Sequence, residues 1–274
     1  MPEGPEIRIA ADRIARVLEG QRVEDVELNL PRLRHFRVEL LGASIIRVET
    51  RGKAMLTRFD NRLTIYSHNQ LYGRWYTVRR PRMPKTQRQL RVELSTSTHK
   101  ALLYSASDIT VLDDNELSTH PFLKRAGPDI LDRSLTQSKI TERLRAVEFR
   151  NRLLGSLYLD QAFLAGNGNY LRSEILWAAG IEPRRKAASL TSIECDALAR
   201  QTLKIAWRSY RSGGVTLTPA LASTLRAEGI SRKDYRFYVF GREGRPCRRC
   251  DSKIERHKMG GRNLFTCRHC QPAE

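Results

Sequence analysis

Long apolar runs are missing from this chain: no stretch of its 274 residues approaches the ~18 consecutive apolar positions that a membrane-spanning helix needs. A secretory signal is missing as well, and so are internal repeats and low-complexity tracts. The chain therefore reads as a globular protein of the cytoplasm, long enough for about two domains with a sizeable core. Acidic residues are in short supply, 30 Asp and Glu against 49 Lys and Arg, which leaves a net charge of +19. The excess is spread along the whole sequence, so it describes a folded, cation-lined surface for a polyanion rather than a disordered basic arm. Nucleic acid is the leading partner. A membrane surface is disfavoured, because the one early amphipathic helix carries its own acids. Cysteine is nearly absent too, with one residue at 195 and four crowded into the last 28 positions. That distribution argues against a disulfide framework and for metal ligation in a reducing compartment.

What is present falls into three textures. Ile7, Ala10, Ala11, Ile14, Val17 and Leu18 follow the i, i+3, i+4, i+7 spacing of a helix with one buried face. The helix is expected to begin at about Pro5, since proline suits the first helical position and Gly4 is an acceptable cap. Residues 22–105 alternate in short β-rich runs such as SIIRVET, AMLTRF, RLTIYS and ALLYSA, punctuated by Gly, Asn, Asp and Pro, as in a sandwich or barrel. From about Thr119 the period changes, and helices are predicted over 136–147, 153–164, 170–179 and 188–209, with LAGNGN between two of them. Gly and Pro in RSGGVTLTP break the pattern before the cysteine-bearing end.

CRRC at 247–250 and CRHC at 267–270 are separated by 16 residues, the spacing of four thiolates around one tetrahedral zinc ion. Cys247, Cys250, Cys267 and Cys270 leave no open coordination position, so this zinc is structural and supplies the folding energy of a small ribbon. KIERHK and NLFTC flank Gly260-Gly261, which predicts a two-stranded hairpin with Arg262 beside its turn. Arg262 reads equally well as a solvated arginine or as a bidentate phosphate clamp on a rigid tip. His257 and His269 are spare ligand candidates that read better as part of a solvated basic face. Cys195 reads as an ordinary buried helix residue.

The opening MPEGPE admits a chemical reading. Methionine before proline is readily removed, which would make the Pro2 nitrogen a chain-terminal secondary amine. An α-amino group has an ordinary pKa near ~8, so part of it is neutral and nucleophilic at physiological pH. Attack on a sugar C1′ would give an iminium, with Glu3 and Glu6 placed to trade protons with the sugar or the departing base. In other settings two such glutamates merely favour the helix dipole.

MPEGPE, RGKAML, SHNQLYG, AGNGNY and the cysteine ribbon occur together and in order, and in this the chain resembles the formamidopyrimidine-DNA glycosylase family over most of residues 1–210 and again over 236–270. The resemblance implies an α+β fold: an N-terminal β-sandwich preceded by a helix (1–118), a helix-two-turn-helix DNA-binding domain (119–235) and a zinc ribbon (236–274). It implies a monomeric, bifunctional DNA glycosylase and abasic-site lyase of base excision repair, acting on double-stranded DNA with oxidised bases or abasic sites. By motif, Pro2 matches the Schiff-base nucleophile and Glu3 the catalytic acid, with Glu6 in support. Lys53 of RGKAML matches a lysine that contacts phosphate and assists elimination. Arg125 of FLKRAGPD and Asn169 of GNGNY match phosphate-contacting residues, and Arg262 matches the catalytic ribbon arginine that grips phosphate near the lesion and is implicated in the second elimination. Gln70, Leu71 and Tyr72 resemble the wedge that fills the gap left by a flipped base in the branch that excises oxidised pyrimidines. An amide, an aliphatic and an aromatic side chain are physically suited to replace lost pairing and stacking.

Two alternatives stand beside this reading: an oxidised-purine glycosylase, against which SHNQLYG argues, and a non-catalytic zinc-ribbon protein that recognises damaged DNA, against which MPEGPE argues. The resemblance fails over 211–235, which is longer and more helical than expected before the ribbon.

Overall fold

The computed structural model describes residues 2–273, and by its contacts the chain divides into two units: Pro2 with Glu6–Arg125, and Glu3–Pro5 with the chain from Ala126. Helix α1 (Gly4–Leu18) starts at Gly4, so that glycine is the first helical residue rather than the cap. Ile7, Ala11, Ile14 and Leu18 are buried, and Ala10 and Val17 are partly so, as the apolar spacing requires.

The first unit continues through β1 (Asp25–Leu28), a short helix α2 (Arg37–Leu40), β2 (Ile45–Arg51), β3 (Ala54–Phe59), β4 (Thr64–His68), β5 (Arg74–Arg79), β6 (Leu90–Ser95), β7 (His99–Tyr104) and β8 (Asp108–Leu112). These strands form two antiparallel four-stranded sheets, ordered β1-β6-β7-β5 and β2-β3-β4-β8. Alternation along a strand sends successive side chains to opposite faces. Met55, Phe59 and Ile65 join the core that holds α1, while Ala54, Leu56 and Tyr66 face a second cluster.

That second face is covered by α3 (Asp114–Thr119), through Leu117, and by α4 (Pro121–Arg125), through the half-buried Phe122 and Leu123. The break expected at 118/119 thus falls inside α3. The chain divides after Arg125 because these two helices bury their apolar residues against the second sheet.

The second unit holds α5 (Gln137–Arg145), α6 (Val147–Arg150), α7 (Leu154–Leu157), α8 (Asn169–Ala179), α9 (Ser192–Arg211), α10 (Pro219–Ala227) and α11 (Arg232–Tyr235). The helix expected over 153–164 is only the single turn α7. Beyond it Asp160 Oδ1 accepts the Ala162 N–H at 2.8 Å, and Gln161 Nε2 donates to the Leu159 and Asn167 carbonyls at 2.8 and 2.9 Å. These side chains take backbone groups a helix would have used, while Tyr158, Phe163 and Leu164 stay buried and imitate its period. Helix α9 starts later than expected because Thr191 caps it in a reciprocal box with Glu194. The segment 211–235 is helical, as α10 and α11. The ribbon, with β9 (Glu255–Met259) paired to β10 (Arg262–Thr266), groups with these helices. Its turn residues Gly260 and Gly261 have φ of +61° and +71°, the left-handed pair that a two-residue hairpin turn demands. Among the described residues, no helix is long and apolar enough to cross a membrane.

Candidate active site

Helix α8 is buried nearly all round, and its first-turn amides need partners from outside the helix. Glu3 supplies them from 167 residues away: its Oε1 accepts the Tyr170 N–H at 2.8 Å and its Oε2 the Leu171 N–H at 3.2 Å. Two amide donors at the positive end of a helix stabilise a carboxylate's charge and fix its direction. Glycines make the approach possible. A Cβ at Gly168 would lie 2.3 Å from the Glu3 carboxyl carbon, and one at Gly4 would lie 3.0 Å from the Gly166 Cα. Gly4 N–H also donates to the Gly166 carbonyl at 2.8 Å. Two motifs far apart in sequence, MPEGPE and AGNGNY, therefore dock backbone to backbone. Pro2, half-buried, is the chain neighbour of this anchored carboxylate, and Glu6 is half-buried in the first turn of α1. The removal of Met1 lies outside the described residues.

The same helix carries a residue that the sequence reading missed. Arg172 is fully buried, and its guanidinium donates to the Gly155 carbonyl at 2.8 Å, the Met259 carbonyl at 3.0 Å, the Asn263 carbonyl at 3.2 Å and Asn169 Oδ1 at 2.6 Å. One planar fork thus ties α8 to both strands of the ribbon hairpin, at the residue paired with Arg262 and at the one that follows it. Burial, and then the neighbouring charge of Arg262, pull Arg172 down to about 10, while Glu3 works in the opposite direction. Arg262 itself is exposed at the start of β10. Asn169 is half-buried, and because its oxygen is held by Arg172, its amide nitrogen is the end left to donate. Glu174, also fully buried, accepts the backbone N–H groups of Tyr238, Val239 and Phe240 at 2.8–2.9 Å and the Thr216 hydroxyl. Burial pushes its carboxyl up, and those donors pull it back. The detectable signal for both residues was a pair of charges inside the otherwise apolar run YLRSEILW.

In the first unit, Lys53 is buried to 7 % exposure in the turn between β2 and β3, where Gly52 takes a φ of +62°. His68, at the end of β4, is pulled below its ordinary value by burial, with Asp108 opposing and Lys53 adding to the depression. The loop that follows is tight: the Gly73 N–H donates to the Asn69 carbonyl at 2.7 Å, and a Cβ at Gly73 would lie 2.4 Å from that oxygen. Gln70 is held in the left-handed region, φ +52°, with its Oε1 accepting the Ser107 hydroxyl at 2.8 Å. Leu71 and Tyr72 stand 51 % and 67 % exposed, a costly display for apolar side chains unless something covers them. Arg125 is exposed at the end of α4 and, with Tyr66, His68 and Asp108, lines a recess of about 410 Å³.

The four ribbon cysteines bring their sulfurs within 4.8 Å of one another, with contacts of 3.4, 3.5 and 3.9 Å. Zinc–sulfur bonds of about 2.3 Å in a tetrahedron put sulfurs about 3.8 Å apart, so the donor set fits one structural zinc ion. His257, bonded to Thr266 Oγ1 at 3.0 Å, His269 and the buried Cys195 stand outside the cluster.

A carboxylate locked to a helix end, and an exposed arginine on a zinc-ribbon hairpin bolted to the same helix, define a zinc-ribbon enzyme of the kind that works on DNA. The chain belongs to the formamidopyrimidine-DNA glycosylase family: residues 1–108 match its N-terminal domain, 126–219 its H2TH domain, and 244–273 the zinc finger found in FPG and IleRS. It is 47 % identical over 271 residues to Endonuclease 8 of Escherichia coli and 48 % identical to that of Shigella sonnei, in each case across 99 % of this chain and all of the relative. Among solved structures, Lactococcus lactis Fpg in complex with DNA containing an abasic site shares the fold, with a TM-score of 0.81 at 20 % identity across 99 % of this chain and all of that one.

Proposed function

We propose that this protein excises oxidised pyrimidines from double-stranded DNA in the cytoplasm, on the nucleoid, and cuts the strand on both sides of the lesion. It is a DNA glycosylase and abasic-site lyase of base excision repair, as its family membership and its full-length likeness to Endonuclease 8 entail. In the proposed reaction the flipped nucleotide presents C1′ to the free amine of Pro2. The nitrogen–C1′ bond forms as the bond to the base breaks, and the Glu3 carboxylate takes the proton that the Pro2 nitrogen loses and passes it to the departing base or to the sugar O4′, with Glu6 in support. Opening of the C1′–O4′ bond, with O4′ protonated, then gives the iminium, which acidifies C2′, and successive eliminations expel the 3′- and then the 5′-phosphate. Lys53, Arg125, Asn169 and Arg262 hold phosphates through these steps, and Gln70, Leu71 and Tyr72 occupy the gap in the duplex. The zinc ion supplies folding energy to the ribbon and takes no part in the chemistry.

The observation that carries this reading is the docking of Glu3 on α8, with Gly168 cut back to make room. A glutamate serving only the dipole of its own helix would have no use for such an anchorage. Borohydride reduction in the presence of DNA bearing an abasic site tests it: the protein should become covalently linked through Pro2. An adduct mapped to a lysine would overturn the nucleophile, and faster release of an oxidised purine than of an oxidised pyrimidine would overturn the substrate class.

A further inference from the structure

The second unit has a cavity of about 910 Å³ whose lining includes none of the residues assigned above to catalysis or DNA contact. One wall is α9, where Arg200, Lys204, Arg208 and Arg211 recur at helical spacing along one face. The other is built from α10 and α11, which contribute Arg226 and Arg232 and lie almost entirely between the matched H2TH and zinc-finger segments. No carboxylate lines the cavity, and among the described residues none of these six cations is in an ion pair. The floor is aliphatic: Val215, Leu217 and Ala222 are buried, with the half-buried Leu203 beside them.

We infer that this groove is a docking site for an acidic peptide segment of a partner protein that carries an apolar side chain. Arg208 and Arg232 each give a donor to a backbone carbonyl, of Thr216 and Gly213, but no carboxylate balances any of the six charges, and six such cations around an apolar floor call for an anion with a hydrophobic anchor. A DNA duplex, whose major groove alone is about 12 Å wide, is too broad to enter a cavity of this volume. A single strand fits it poorly in chemistry. Strand-binding grooves offer open aromatic faces to stack bases, whereas here Arg211 lies over the Trp207 ring at 5.7 Å, Arg226 lies over the buried Tyr235 at 6.0 Å, and the floor is aliphatic. An aliphatic or aromatic peptide side chain loses nothing on such a floor, and its neighbouring carboxylates reach the rim.

The test is fluorescence anisotropy with the zinc-loaded full chain and three probes: a labelled peptide of aspartates ending in phenylalanines, the same peptide ending in serines, and an oligothymidylate of equal charge. The aromatic-ended peptide should bind one to one. Replacing its aromatics by serine, or introducing either Leu203→Ser or the pair Arg200→Glu and Lys204→Glu, should weaken binding about tenfold. Circular dichroism and cleavage of abasic DNA should stay at wild-type levels in both variants. Equal binding of the serine-ended peptide, binding that both variants retain, no binding at all, or displacement by the oligothymidylate as effective as by unlabelled aromatic-ended peptide would each overturn the assignment. The last result would make the groove a strand-binding surface.

Discussion

Gly168 and Glu3 are matched: the glycine leaves the space that the carboxylate fills, and a Cβ there would sit 2.3 Å from the Glu3 carboxyl carbon. Gly168 itself has φ −142° and ψ −154°, an extended conformation open to any residue, so the demand for glycine is one of room and not of backbone strain. Gly168→Ala should therefore act through Glu3. Base excision in single-turnover assays should drop about 10²-fold, as a displaced catalytic group does, with a stability loss of about 1–3 kcal/mol for the overpacked contact. Glu3→Gln should match it in rate without that loss. Wild-type excision by Gly168→Ala would show that Glu3 needs no such placement.

Arg172 holds three carbonyls and the Asn169 side chain with one guanidinium. Removing it strands buried acceptors, each costly when unpaired, so Arg172→Met should destabilise the protein by about 3–5 kcal/mol in denaturant titration. Arg172→Lys should rescue little, because a compact ammonium cannot span the fork's four partners. At a temperature where both variants remain folded, zinc content should be normal while KM for damaged duplex rises, since the hairpin bearing Arg262 has lost its tie to α8. An unchanged KM would limit Arg172 to a packing role.

Arg262 and the cysteines should separate cleanly. Cys267→Ser removes a zinc ligand and should release the metal and disorder the hairpin. Arg262→Ala should keep metal and fold while losing a charge-assisted phosphate contact, a cost of about 1.5–3 kcal/mol in the excision barrier. Cleavage at a ready-made abasic site should suffer less, because its C1′ is already exposed. Wild-type excision by Arg262→Ala would make this arginine a solvated surface charge.

His68 gives stability a pH dependence of known sign. Burial lowers its native pKa below the ordinary 6.5, so the native state resists a proton that the unfolded chain accepts. Its contribution is complete above pH 6.5 and is lost as the pH falls toward the lowered native value. Unfolding free energies of the wild type and His68→Gln, measured at neutral and mildly acid pH, should differ more at neutral pH and converge on acidification. Parallel curves would remove His68 from the pH response.

How far the sequence reached depended on whether the deciding interactions were local. The zinc site was legible because its four ligands and two-glycine turn lie within 24 residues, where spacing alone dictates geometry. The buried stripe of α1 and the alternating strands were legible for the same reason, their periods being properties of the backbone. Over 153–164, Asp160 and Gln161 took the backbone hydrogen bonds while the apolar residues kept a helical rhythm, so periodicity reported burial and not helix. What Glu3 does was beyond local reach, since its partners stand at 168, 170 and 171 and meet it only when the chain folds back on itself. Arg172 was further out of reach: composition calls an arginine a surface charge, and only the convergence of α7, α8 and both ribbon strands supplies enough acceptors to bury one.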